Sequence, residues 1–116
     1  MARLARVSVP GFPYHVTHRG NHGAPFFSDD EDREVYLALV DEYARRYSLK
    51  LWAFCLMTNH EHLLVAPELE NSMANALGRA LMRYARWINK KLGRGGIYGR
   101  TGFIPRCWMS RIFSRL

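Results

Sequence analysis

Residues 12 to 19, FPYHVTHR, alternate with Tyr14, Val16 and His18 on one side and His15 and Thr17 on the other, which predicts a strand ended by Gly20 and Asn21. Ser28-Asp29-Asp30-Glu31 has the spacing of a capping box. The acids that follow favour the positive end of a helix dipole, so a helix is expected from about Asp29 to Tyr47. Its apolar positions Tyr36, Leu39, Val40, Tyr43 and Tyr47 recur at helical spacing and would pack on a sheet. The stretch from Ser48 to Met57 is rich in aromatic and apolar residues. Thr58 and Asn59 supply turn chemistry before His60 to Ala66, which together predict a hairpin. Pro67 and the segment to Asn71 form a loop, and Ser72 can cap a second helix that lasts to about Leu92. With a fourth strand near residues 103 to 113, the order gives an α+β class. The expected layout is a ferredoxin-like split βαβ sandwich, an antiparallel sheet covered on one face by two helices.

The chain of 116 residues has room for one domain, 1–116, and at 48% apolar residues it can bury a core without staples. No apolar run is long enough to span a bilayer, and the start MARLARVSVPGF lacks the apolar region of a secretory signal. A cytoplasmic protein with no membrane partner is the expectation. Cys55 and Cys107 form neither a disulfide framework nor a zinc spacing.

Charge changes the picture more than composition does. All ten acidic residues lie at or before Glu70, whereas residues 72 to 116 carry ten Lys or Arg and no acid. A polyanion is the natural partner for that half, with a merely solvated basic surface, an acidic membrane surface or RNA as other readings.

In a strand the side chains at i and i+2 share a face, so His60 and His62 project side by side with Glu61 opposite. Two imidazoles can converge on one cation. They suit manganese, zinc, nickel or copper better than magnesium, although the bare spacing also occurs in structural histidines. On the second helix Met73, Leu77, Leu81, Tyr84, Ile88 and Leu92 form one stripe. Arg79, Arg83, Arg86 and Lys90 form another on nearly the opposite side, a row that could neutralise phosphates or simply face solvent. Gly93, Gly95, Gly96, Gly99 and Gly102, interleaved with Arg94, Tyr98 and Arg100, could approach phosphates while an aromatic ring stacks on a base. The same stretch would serve equally as a flexible connection, and it lacks the ending of a P-loop.

Taken in order, PGFPYHVTHRGNHGAPFF (10 to 27), DDEDREVYL (29 to 37), WAFCLMTNHEHLLV (52 to 65), RYARWINKKLGRGG (83 to 96) and IYGRTGF (97 to 103) resemble the successive blocks of the REP-associated tyrosine transposases. These are relatives of the insertion sequence 200 type in the HUH superfamily. The resemblance implies that His60 and His62 are the paired metal ligands, holding a divalent cation, manganese or magnesium. It also implies single-stranded or hairpin DNA as the partner of a monomer or a homodimer, for which Arg19, Arg79, Arg83, Arg86, Lys90, Arg94 and Arg100 are the candidate contacts. The activity it implies is attack of a tyrosine hydroxyl on a DNA phosphodiester, leaving a 5′-phosphotyrosine and a free 3′-hydroxyl, with rejoining as the reverse.

Three positions depart from that pattern. Thr58 stands where the family commonly has proline. Glu61 occupies a middle position that is usually hydrophobic, so it must find solvent or a basic partner on the other sheet face. The family's nucleophilic tyrosine belongs to a later helix with an Asn-Pro sequence, which no segment here matches, so a chain truncated before that helix is expected. Tyr84 falls on the apolar stripe, Tyr98 lies beside the Gly-Arg pair and Tyr14 belongs to the first strand, so the catalytic residue is unassigned. Whether the chain is itself an enzyme stays open between strand transfer and a non-catalytic DNA- or RNA-binding remnant. A histidine-metal hydrolase is disfavoured because no third ligand or general base besides Glu61 is visible.

Overall fold

The computed structural model describes residues 8–19 and 25–93, and the backbone of 106–111. The elements follow as β1 (Tyr14–Arg19), α1 (Asp30–Arg46), β2 (Leu49–Leu56), β3 (His60–Pro67), α2 (Ser72–Lys91) and β4 (Arg106–Arg111). The four strands lie in the order β2-β3-β1-β4, and every neighbouring pair is antiparallel. This is the expected ferredoxin-like layout.

Alternation decides which sheet face is buried. Tyr14 and Val16 of β1 and Leu63 and Val65 of β3 meet the apolar stripes of both helices, with Tyr36 and Val40 from α1 and Leu77 and Tyr84 from α2. Phe26 and Phe27 close the core against Tyr36 and Tyr84, with ring centroids 4.7 to 5.9 Å apart. Aromatic groups packed this way contribute large buried areas and edge-to-face attraction.

The helix ends differ in detail from the sequence expectation. The cap of α1 is Asp29, whose side chain accepts from the Asp32 backbone N–H at 3.0 Å, while Asp32 accepts in turn from the N–H of Ser28 at 2.6 Å. The reciprocal box is therefore displaced by one residue, because the carboxylate of Asp32 reaches back where Glu31 faces solvent. Ser72 is the first residue of α2 rather than its cap, and its hydroxyl accepts from the Leu69 N–H. Past α2, Gly93 takes a φ of 71°, a left-handed turn that suits glycine and lets its N–H reach the Lys90 carbonyl.

In β2 the register shifts between Leu51 and Ala53, so Trp52 drops out of the pairing with β3 and stands 54% exposed. That irregularity brings Cys55 opposite His62 on the same sheet face.

Candidate functional site

Because Leu63 and Val65 point into the core, His60 and His62 must point to the sheet face turned away from the helices. The same logic on β1 sends Tyr14, Val16 and His18 inward, and His15, Thr17 and Arg19 outward. The antiparallel register then sets Thr17 opposite His62 and Arg19 opposite His60. Five polar side chains from two adjacent strands thus share one patch.

Their contacts are specific. His15 Nε2 lies 2.8 Å from His62 Nδ1, and the Thr17 hydroxyl is 3.2 Å from that His62 nitrogen and 3.3 Å from His15 Nε2. His60 Nδ1 lies 2.7 Å from the side-chain oxygen of Asn59. The rings of His60 and His62 stand nearly perpendicular with centroids 5.0 Å apart. Burial, and then the nearby His62, hold the His15 imidazole below its ordinary pKa; burial, His62 and Arg19 act on His60 in the same direction. Both therefore favour the neutral form, the form that donates a lone pair to a cation. Beside His62 a hollow of about 240 Å³ opens over Ala53, Cys55 and Leu64, where small β2 side chains leave room.

The donor chemistry of His60 and His62 fits a divalent transition ion. A second cluster, Asp29, Glu31 and Asp32 at the start of α1, also brings three carboxylates together. There the cation is already supplied by the chain. Lys91 Nζ sits 2.9 Å from Asp29, 3.1 Å from Glu31 and 2.7 Å from Asp32, which makes the cluster an ammonium clamp between the two helices.

Glu61 has the basic partner that its position demands. Fully buried on the core face, it meets the side chain of His18, its register partner on β1.

The basic residues divide between two sides. Arg19 is exposed next to His60 on the sheet face. Arg79, Arg83, Arg86 and Lys90 are exposed on the outer surface of α2, whose opposite surface is buried against the sheet, so the helix layer separates them from the histidines. Arg79 lies over the Tyr47 ring at 5.1 Å, and Arg83 donates to the Tyr43 hydroxyl at 3.2 Å. Arg94, Arg100 and Tyr98 lie outside the described residues.

None of the described tyrosines joins the histidine patch. Tyr84 is fully buried, donates to the Phe26 carbonyl at 2.5 Å, and is pushed far up in pKa mainly by that burial. Tyr14 accepts from the Val9 N–H under the core, Tyr36 is buried beside Phe26, and Tyr43 and Tyr47 stack together beneath arginines on the helix side.

His15 is the residue that the sequence pattern did not single out. Its alternation partner Thr17 already put it on the face opposite Tyr14 and Val16. Only the β1–β3 register, however, shows that His60 and His62 share that face.

The family description "Transposase IS200 like" matches residues 8–103. No curated protein matches the chain by sequence. Among solved structures, the chain is similar to a REP-associated tyrosine transposase bound to a REP hairpin, with a TM-score of 0.60 and 12% identity. That match covers 97% of this chain and 62% of the other, so the chain spans about three fifths of that relative's length. A protein of Deinococcus radiodurans R1 assigned as a transposase is similar with a TM-score of 0.53 and 18% identity, over 90% of this chain and 85% of that one.

Proposed function

The chain belongs to the IS200-like transposases, and we propose that it binds single-stranded or hairpin DNA across the sheet face that carries His60, His62 and Arg19, as part of a metal-dependent strand-transfer reaction. The observation that carries this reading is the juxtaposition itself. Two histidines and an arginine stand side by side on two neighbouring strands, in register and away from the core.

Each group has a defined task. His60 and His62 would hold the divalent cation, manganese or magnesium; when bound, it supplies Lewis-acid polarisation of a phosphate oxygen. Arg19 offers a charged donor to the phosphate, and the lowered basicity of His60 beside it keeps the ring neutral. The hollow over Ala53 and Leu64 is apolar enough to take an unstacked base. In the strand-transfer step a tyrosine oxygen bonds to phosphorus while the bond to the 3′-oxygen breaks. The products are a 5′-phosphotyrosine and a 3′-hydroxyl, with the phenol proton passing to the leaving oxygen or to solvent.

A second reading, DNA binding without cleavage, is favoured by one observation: Tyr14, Tyr36, Tyr43, Tyr47 and Tyr84 all lie away from the histidines. The same reading takes 1–116 as one domain that acts as a monomer or a homodimer.

The test is to measure hairpin-DNA binding by fluorescence anisotropy and manganese binding by calorimetry on the parent, Arg19→Gln, His60→Ala and His62→Ala. Loss of manganese binding in both histidine variants, and weaker DNA binding in Arg19→Gln, are expected. Parent-like manganese binding in both histidine variants would move the metal elsewhere, and parent-like DNA affinity in Arg19→Gln would move the DNA.

A further inference from the structure

We propose that His15 is a positioning residue for the histidine pair: by accepting the Nδ1–H of His62 it fixes the tautomer in which His62 Nε2 carries the lone pair for a cation. The inference rests on the metal reading of His60 and His62 and adds the residue that prepares one of them.

The geometry is that of a hydrogen bond rather than a ring stack. The planes of His15 and His62 are inclined by only 11° and their centroids lie 5.0 Å apart, while the nearest nitrogens are 2.8 Å apart. The centroid separation is the nitrogen separation plus one ring radius on each side, so the two rings lie end to end in nearly one plane. Two lone pairs at that distance would repel and two N–H groups would collide. One ring therefore donates and the other accepts.

End-to-end alignment also argues against His15 as a third ligand. The two facing nitrogens are aimed at each other and not at a common third point. Among the described residues the only group of three candidate ligand atoms that gathers within 4.8 Å is the acidic one clamped by Lys91.

The polarity of that bond decides which His62 nitrogen stays open to a cation, and His60 shows the nitrogen that a shared cation would meet. Its Nδ1 faces the Asn59 carbonyl oxygen, which can only accept, so Nδ1 holds the proton and Nε2 holds the lone pair. For His62 to offer the same nitrogen, its own Nδ1 must be the donor and His15 Nε2 the acceptor. The opposite polarity would place the proton on His62 Nε2 and close that nitrogen to a cation. The Thr17 hydroxyl, within reach of both facing nitrogens, holds the two rings in this relation from below. Ligating histidines whose outer nitrogen is fixed in this way lose about 10- to 100-fold in metal affinity when the partner is removed.

The test uses the metal-free, ¹⁵N-labelled protein, in which two-bond couplings from the ring nitrogens to the carbon-bound ring protons report which imidazole nitrogen carries hydrogen. His62 is expected in the Nδ1–H form in the parent, to move to the Nε2–H form in His15→Ala, and to recover in His15→Gln, whose side-chain oxygen can accept. Manganese affinity should fall about 10- to 100-fold in His15→Ala and return in large part in His15→Gln. Backbone amide spectra check that the fold is kept in each variant. An Nε2–H form of His62 in the parent overturns the proposal, as does an unchanged tautomer and affinity in His15→Ala. If the parent takes up no manganese, the metal reading fails by itself, and the tautomer measurement still decides what His15 does to His62.

Discussion

His18 on β1 and Glu61 on β3 stand opposite each other in register and meet side chain to side chain in the core, both fully buried. Glu61 is the residue between the two outward histidines, so the pair lies directly beneath the candidate site on the other side of the sheet. A slip of β3 by one residue against β1 would turn Glu61 out, away from His18, and bring both His60 and His62 into the core. The pair thus reports the one register in which His62 meets His15 and Thr17.

Breaking that pair from one side should be costly. His18→Leu leaves the Glu61 carboxylate buried without its partner and is expected to lower stability by about 3–5 kcal/mol. The double variant His18→Leu/Glu61→Leu replaces both by apolar groups and should recover most of that loss. Urea unfolding followed by circular dichroism measures both. A single variant as stable as the parent would show that the contact carries little of the register.

Lys91 should make stability fall at acid pH. Its hydrogen bond is the largest cause of the depressed pKa of Asp29, with the Asp32 backbone contact next. A carboxylate whose folded pKa is depressed adds stability that is present above its unfolded value, near 3.8, and is lost as pH falls through the lower folded value. Lys91 itself is raised by Asp32 and then Asp29, so its share is complete below its unfolded pKa and fades only in strong alkali. Lys91→Met should therefore lower the urea midpoint at neutral pH and flatten its decline below about pH 3.8. A decline as steep in the variant as in the parent would assign the acid sensitivity to other carboxylates.

Much of this arrangement was legible from residue pattern alone. Alternation in β1, the apolar stripes of the two helices, and the apolar run with its Thr58-Asn59 turn placed β1, α1, β2, β3 and α2 within a few residues of their observed bounds. The same alternation already contained the separation of the two basic regions. If Leu63 and Val65 face the helices, then His62 faces away from α2, and Arg79 and Arg83 on the far surface of α2 must lie on the other side. What the pattern could not give was the strand register, because it depends on long-range pairing rather than on neighbours in sequence. Hence His15 and the partner of Glu61 emerge only when Thr17 is found opposite His62 and His18 opposite Glu61. The displaced cap of α1 has a similar origin, since Lys91 draws Asp29 and Asp32 together from 59 to 62 residues away.

The two basic regions should act independently. The outer row of α2 is expected to contact single-stranded DNA separately from the sheet face, so changing Arg79, Arg83, Arg86 and Lys90 to Gln should weaken binding at low salt and reduce the slope of log affinity against log salt by about 3, if each meets one phosphate. Manganese binding should be unchanged, because the helix layer lies between these residues and His60. Arg83 will contribute least of the four, being already engaged by the Tyr43 hydroxyl and near Glu42. Anisotropy titrations at several salt concentrations, with calorimetry on the same variant, check both halves. A fall in manganese affinity would mean that the two sides communicate.

A tyrosine that attacks a phosphodiester must lie in line with the scissile bond, and a misplacement of about an ångström can cost a hundredfold in rate. Tyr84 is buried, donates its hydroxyl to the Phe26 carbonyl, and has its pKa driven far up by burial, so it is neither placed nor activated for attack. Tyr14 and Tyr36 are equally enclosed in the core, and Tyr43 and Tyr47 lie under arginines on the helix side. Incubation with labelled hairpin DNA and manganese, followed by a denaturing gel, should therefore yield no covalent adduct at any of these five residues. Tyr84→Phe should instead cost stability through the lost buried hydrogen bond, on the order of 1 kcal/mol, and leave DNA binding as it was. A shifted band whose peptide map places the DNA on Tyr14, Tyr36, Tyr43, Tyr47 or Tyr84 would mean that the core opens to present that hydroxyl.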